Sequence, residues 1–210
     1  MVVGTIPRWP SATAAVLVPV KAFVQAKQRL APVLDPPTRR ALAEAMAATV
    51  LAAAGPLRTA VVCDDEEVRS WAERQGAEAI WTPGLGLNGA VEAGVAHLAR
   101  RGVERVVVAH ADLPLATDLA WLADGDGVAL VPDRHGDGTN VACVPAVAGF
   151  SFAYGAASFT AHRAEASRLG LTLRLVPDRQ LSWDVDVPAD LAIPTDLRPP
   201  AYLTSPVPCR

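Results

Sequence analysis

The stretch 15-AVLVPVKAFVQAKQRLAPVLDPPTRRALAEAMAATVLAAAGPLRTAVVC-63 decides the fold. It opens and closes on apolar, valine-rich runs, 15–20 and 58–63, and between them residues 38–55 carry apolar side chains at three- and four-residue spacing. Runs without polar alternation mark strands buried on both faces, and the spacing between them marks a helix, so the stretch reads as strand, helix, parallel strand. Pro36, Pro37 and Thr38 open the helix and Gly55-Pro56 closes it.

The same alternation continues outward. Further apolar runs lie at 105–110, 128–132, 140–145 and 172–177, and helical spacing recurs at 65–77, with Asp64 or Asp65 as cap, at 88–102, starting near Asn88 and ending at Gly102, and at 157–170. The whole predicts an α/β fold, a Rossmann-like three-layer sandwich with a mostly parallel sheet. Residues 132–160 break the alternation and are expected to form an antiparallel insertion that serves a ligand. The domain is placed at 14–193. Residues 1–13 and the proline-rich 194–210 lack periodicity and read as tails, flexible or draped on a partner subunit, which leaves a homodimer open.

Composition narrows the class. The chain has 210 residues, 51% hydrophobic and 20% charged, enough apolar surface for one core and too much for disorder. Its net charge of −3 excludes a general nucleic-acid binder, so an anionic ligand must be met by a local cluster. Cys63, Cys143 and Cys209 form no CxxC pair, and no segment reads as a signal peptide or a membrane span, so the expectation is a cytoplasmic protein with no membrane partner. There is no GxxxxGK[ST] loop, and 84-GLGLNG-89 lacks the remaining features of a dinucleotide fingerprint.

Of 19 basic residues only Lys21 and Lys27 are lysine. An ammonium and a guanidinium are different phosphate ligands, so a chain that uses lysine in one window alone points to a site that needs it. Lys21, Lys27 and Arg29 follow the first strand, at the edge where open α/β sheets bind ligands, and suit an oligophosphate. Read as exposed charges, the lysines should contribute little to stability. Asp112 follows the most apolar strand and is either a helix cap or a hard-oxygen ligand for Mg²⁺. Asp184 and Asp186 share a face of an extended segment; one can bind a metal while the other holds a loop or a cation, and Asp190 reads as first-turn helix chemistry. The loop 132-PDRHGDGTN-140, with Arg134, and the small-residue segment 154-YGAASF-159, leading into a helix at Ser158, read as anion sites. The four histidines show no metal-ligand spacing and read as surface or helix-packing residues.

Together VPVKAFVQAKQRLAP at 18–32, GLNGA at 87–91, ADLPL at 111–115, PDRHGDGTN at 132–140, YGAASFTAH at 154–162 and DVDVPADL at 184–191 resemble the guanylyltransferase family of coenzyme F-420 biosynthesis. Its members are 2-phospho-L-lactate guanylyltransferases and phosphoenolpyruvate-using relatives, within the nucleotide-diphospho-sugar transferase-like fold that also holds the molybdenum-cofactor guanylyltransferases. The resemblance implies a Mg²⁺-dependent enzyme that takes GTP and phosphoenolpyruvate, 2-phospho-L-lactate or 3-phosphoglycerate. It implies that Lys21, Lys27 and Arg29 face the GTP phosphates and Asn88 the nucleotide. Asp112 and Asp186 would hold Mg²⁺, with Asp184 as a substitute, and Thr139, Gly155 and Ser158 would bind the phosphorylated acid. The chain departs from the family pattern at Ala156-Ala157, where Pro-Gly is usual, at Trp183, and at Val187, where threonine is usual. Two other functions are weighed: nucleotide transfer to a molybdopterin or sugar phosphate, against which the missing glycine-rich first loop argues, and a catalytically silent binding module that keeps the fold.

Overall fold

The computed structural model describes residues 14–204; the tail placed at 1–13 lies outside the described residues, as do 205–210. In chain order the elements are β1 (Ala14–Pro19), α1 (Pro36–Ala52), β2 (Arg58–Cys63), α2 (Glu66–Arg74), β3 (Glu78–Trp81), α3 (Gly86–Arg100), β4 (Arg105–Ala109), β5 (Val128–Pro132), β6 (Thr139–Pro145), α4 (Ser158–Arg168) and β7 (Leu173–Leu175). Two 3-10 turns, Phe23–Gln25 and Gln28–Leu30, fill the connection from β1 to α1.

One seven-stranded sheet runs β3-β2-β1-β4-β6-β5-β7. Strands β1 to β4 are mutually parallel, β5 pairs parallel with β7, and β6 lies antiparallel between β4 and β5. The expected antiparallel insertion is therefore a strand inside the sheet. Side chains alternate across each strand, so Val16 and Val18 of β1 pack with α1 and α2 through Ala47, Val50 and Trp71. Ala15 and Leu17 face the other way, toward Val91, Val95 and Leu98 of α3. That alternation makes three layers with a core on each face of the sheet.

Local signals explain the helix starts. Asp35 caps α1 by accepting from Thr38 N at 2.8 Å, ahead of the two prolines, and the Asp65 carboxylate caps α2 by accepting from Glu67 N and Val68 N. Helix α3 begins at Gly86 rather than at Asn88, which places Asn88 inside the first turn. At Gly94 a Cβ would stand 2.7 Å from Val62 Cγ1 and 2.8 Å from Leu17 Cδ2, so glycine there lets α3 lie close on the sheet. The sequence reading assigns no strand to β3, because EAIW is short and buries only Ile80.

The described part of the proline-rich tail packs on this chain itself. Ile193 and Leu197 form a small core with Leu115, and Tyr202 Oη lies 3.1 Å from Thr49 Oγ1. Leu197 and Tyr202, within the segment expected to be a tail, thus contact their own domain. Among the described residues no helix is long and apolar enough to cross a membrane.

Candidate active site

From β1 the chain builds β2 and β3 on one side and then returns to place β4 on the other. A crevice opens where the chain direction reverses, beyond the carboxyl ends of the strands. Here it is a cleft of about 1160 Å³, and of the ten site residues expected from the sequence, all but Asn88 line it. Asn88 is used elsewhere: its Oδ1 accepts from Tyr154 N at 2.8 Å and so ties α3 to the segment before α4.

The acidic side of the cleft is organised by Lys27. Its backbone is left-handed, φ 53° and ψ 39°, a conformation that costs a non-glycine residue about 1–2 kcal/mol. From there the side chain reaches Asp112 Oδ2 at 2.7 Å and Asp186 Oδ1 at 2.9 Å. Burial alone would lower the pKa of the ammonium, but the charges and hydrogen bonds of Asp112 and Asp186 outweigh it and hold it above the ordinary lysine value. Burial likewise acts to raise the pKa of the Asp112 carboxyl, and the Lys27 charge, followed by His110, brings it below the usual range. Lys27, expected on phosphate, is therefore bound to the two carboxylates expected to hold metal. Arg29 is largely exposed, its Nη1 3.9 Å from Asp186 Oδ2, and Lys21 is exposed on the same rim.

Asp184 lies beside this pair and titrates differently. Burial, and then the charges of Asp112 and Asp186, push its pKa up to about 6 against the pull of Arg134. Arg134 is not turned into the cleft: its Nη1 donates to Asp184 O at 3.0 Å, its Nη2 pairs with Asp190, and its guanidinium lies 4.6 Å from the centre of the Trp183 ring. Asp190 Oδ2 in turn accepts from Asp186 N and Val187 N, both at 2.7 Å. Asp190 does sit in a first helical turn, that of the 3-10 segment Pro188–Leu191, and the structure adds that it is buried and braces the acidic loop from behind. Asp112 Oδ1 and Asp184 Oδ1 are buried with no hydrogen-bond partner, but Arg134 Nη1 stands 3.5 Å from Asp184 Oδ1, so Asp112 Oδ1 is the hard oxygen of the two left open to a cation. Among the described residues no group of three or more His, Cys, Asp or Glu side chains is arranged to hold a metal ion.

The opposite wall is built of hydroxyls and rings. The loop before β6, expected to aim its N–H groups at an anion, instead folds them onto its own Asp133, whose carboxylate accepts from His135 N, Asp137 N and Gly138 N, each at 3.0 Å. Thr139, Ser158 and Tyr154 remain as the hydroxyl residues of the wall that border the cleft, the first two joined by Thr139 N donating to Ser158 Oγ at 3.0 Å. Gly155 lies between them and Asn88 with φ +129°, a region that a Cβ disfavours. Three residues here were not singled out as site residues by the sequence: His110, Tyr154 and His162, whose rings contact in series, tilted at 4.7 Å and edge-to-face at 4.8 Å. His162 had one legible signal, since it follows Ser158 by four residues and so shares its face of α4.

The profile of the family described as "Guanylyl transferase CofC like" matches residues 14–193. The phosphoenolpyruvate guanylyltransferase of Sphaerobacter thermophilus is 38% identical over 188 residues, covering 85% of this chain and 91% of that protein. The 2-phospho-L-lactate guanylyltransferase of Halorubrum lacusprofundi is 39% identical, covering 79% of this chain and 77% of that protein. Among solved structures, one from Desulfovibrio desulfuricans G20 described as a nucleotide-diphospho-sugar transferase superposes with a TM-score of 0.66, over 85% of this chain and 84% of that one. At 18% identity that likeness concerns the fold alone.

Proposed function

The chain belongs to the family of CofC-like guanylyl transferases, and from that premise we propose that it transfers GMP from GTP to the phosphate of a phosphorylated three-carbon acid. The acceptors named for its relatives are phosphoenolpyruvate and 2-phospho-L-lactate, and the reading places the step in coenzyme F-420 biosynthesis. The observation that carries it is that one cleft holds two unlike walls, a carboxylate–lysine wall at β1 and β4 and a hydroxyl wall at β6 and α4. Such a cleft suits a polyphosphate beside a second, smaller anion.

The chemistry asks little proton transfer of the protein. A phosphate monoester has a second pKa near ~6 and is largely dianionic at pH 7, so it needs no general base. An acceptor phosphate oxygen forms a bond to the α-phosphorus of GTP, the bond from that phosphorus to the β-phosphate oxygen breaks, and pyrophosphate leaves. What the site must overcome is repulsion between anions. Lys21 and Arg29 reach phosphate without giving up a short ion pair, whereas Lys27 does so only by leaving Asp112 or Asp186. Thr139 and Ser158 donate to the acceptor, with the Gly155 backbone allowing its close approach.

The donor set fits Mg²⁺. That ion takes oxygen ligands, commonly one or two carboxylates completed by water and substrate phosphate, and does not require a cage made by protein alone. Asp112, with its unpartnered Oδ1, and Asp186 would hold it, and Asp184 is the nearest substitute. When bound, Mg²⁺ supplies charge neutralisation on the phosphates and on the leaving pyrophosphate. The test is pyrophosphate release from GTP with each of phosphoenolpyruvate, 2-phospho-L-lactate and 3-phosphoglycerate, with and without Mg²⁺. No release with any of them, against release from another nucleotide with a sugar phosphate, would sink the reading.

A further inference from the structure

The hydroxyl wall has a proton order that its hydrogen bonds dictate. His162 is wholly buried on α4; Ala153 N donates to its Nε2 at 3.0 Å, and its Nδ1 lies 3.0 Å from Thr139 Oγ1. Burial, followed by the neighbouring His110, lowers the His162 pKa to about 4, Glu165 opposing, so the ring is neutral at pH 7 and carries a single N–H. Because Nε2 accepts from the backbone, that hydrogen is on Nδ1, and Nδ1–H donates to Thr139 Oγ1. Thr139 Oγ1 is thus held as an acceptor, and its own hydrogen is left to point elsewhere. Ser158 Oγ is in the same position, since it accepts from Thr139 N at 3.0 Å. Among the described residues no protein acceptor takes either hydroxyl hydrogen, and both residues, though only 2% exposed, border the cleft.

Two further buried polar atoms of this wall, Tyr154 Oη and His110 Nε2, also have no partner, which is the condition of a site built for a polar ligand. Burial pushes the Tyr154 phenol far above its ordinary pKa, so toward an anion it can only donate. Thr139, Ser158 and Tyr154 thus have hydroxyl hydrogens to give, and the Asp133 and Asp137 carboxylates that also border the cleft accept from backbone N–H groups around them, so the hydroxyls are the donors open to an oxyanion.

We propose that His162 is a positioning residue: through Nδ1–H it fixes the Thr139 hydroxyl as a donor aimed at an oxyanion of the acceptor, beside the donor hydroxyl of Ser158. The proposal rests on the reading of this wall as the acceptor site. It makes His162 responsible for acceptor affinity without contact to the acceptor, and gives it no part in holding GTP.

Two substitutions separate this role from packing, because glutamine places an amide near the Nε2 position and asparagine near Nδ1. His162→Gln can keep an acceptor for Ala153 N and loses the donor to Thr139; His162→Asn does the reverse. The expected result is an acceptor KM raised ~10–100-fold in His162→Gln, the scale of one hydrogen bond to a charged group, with GTP KM unchanged and His162→Asn within about threefold of wild type. The opposite order, with asparagine harmful and glutamine benign, would show that the backbone contact is what matters and overturn the proposal. Nitrogen-15 NMR of the unsubstituted protein gives a test that needs no variant: the Nδ1–H tautomer is expected, and an Nε2–H tautomer contradicts the proton order. Thr139→Ala and Ser158→Ala keep the two readings apart. If these leave acceptor KM unchanged, the acceptor site itself is misplaced; if they raise it while His162→Gln does not, only the role of His162 fails.

Discussion

Lys27 Nζ lies 2.7 Å from Asp112 Oδ2, a bond between residues 85 positions apart that joins the loop after β1 to the end of β4. The same ammonium binds Asp186 at 2.9 Å, so one cation holds two carboxylates that would otherwise repel each other in a half-buried cleft. Lys27 is 11% exposed and Asp186 46%, so the cluster is neither a surface pair nor a fully desolvated one.

Removing the cation should therefore destabilise the fold, contrary to the expectation for an exposed lysine. Lys27→Met leaves Asp112 without its partner, and breaking a buried pair costs about 3–5 kcal/mol, reduced here by the exposure of Asp186 to roughly 2–4 kcal/mol. Urea unfolding measures this. Added Mg²⁺ should restore part of the loss by replacing one cation with another on the same carboxylates; a midpoint equal to wild type would mean that the pair contributes nothing.

Lys21 should behave in the opposite way. It is exposed on the rim of the cleft, so Lys21→Ala is expected to leave the melting temperature unchanged while raising GTP KM ~10–100-fold, the value of a hydrogen bond to a charged group. Steady-state kinetics with a melting curve distinguishes the two lysines.

Asp112→Asn keeps the shape of the side chain and removes its charge. Lys27 remains paired with Asp186, so the fold should survive with a modestly lower melting temperature, while turnover falls by roughly 10²–10⁴ if the carboxylate carries a metal contact made in the transition state. Turnover near wild type at saturating Mg²⁺ would remove Asp112 from the metal site.

Asp184 predicts a pH signature. Its pKa rises from an ordinary 3.8 to about 6 in the fold, so between those values the folded chain binds more protons at this group than the unfolded chain does. Stability from Asp184 therefore falls as pH rises from about 4 to about 6 and stays low above that. Asp184→Asn should melt above wild type at pH 7, with the difference closing toward pH 4. A difference independent of pH would mean that Asp184 ionises normally.

Gly94→Ala is a control for the scaffold. The new Cβ would meet Val62 and Leu17 at under 3 Å, an overpacking that costs about 1–3 kcal/mol. Activity per folded molecule at 25 °C should be largely retained, since the contact lies in the core shared by α3, β1 and β2, where of the three residues only Val62 also borders the cleft.

How much of this was legible differs from element to element. The strands that build the cleft were readable because burial on both faces demands unbroken apolar runs, and β3 was not, since an edge strand that buries one residue leaves no such run. Lys21, Lys27, Arg29 and Asp112 follow the ends of β1 and β4, and topology carries strand ends to one edge, whereas Asp184 and Asp186 lie on a loop well beyond β7 and were legible as a paired-carboxylate motif. The loop at 132–140 misled because its glycines reveal that backbone N–H groups can converge but not on what; Asp133, its own neighbour, takes them. Asn88 was displaced by two residues of helix start, which turned its amide onto Tyr154 N.

By itself the sequence determined the α/β sandwich, the edge at which ligands gather and the residue types that meet there, because hydrophobic periodicity and strand-end chemistry are local properties of the chain. Only the tertiary structure decided who pairs with whom. Whether Lys27 meets phosphate or carboxylate, whether Arg134 faces the cleft or braces Asp190, and which nitrogen of His162 holds its hydrogen all depend on groups brought together from distant parts of the chain. In a half-buried cleft a charged or polar group is stabilised by the partners it meets there, and spacing along the sequence does not record which partner the fold supplies.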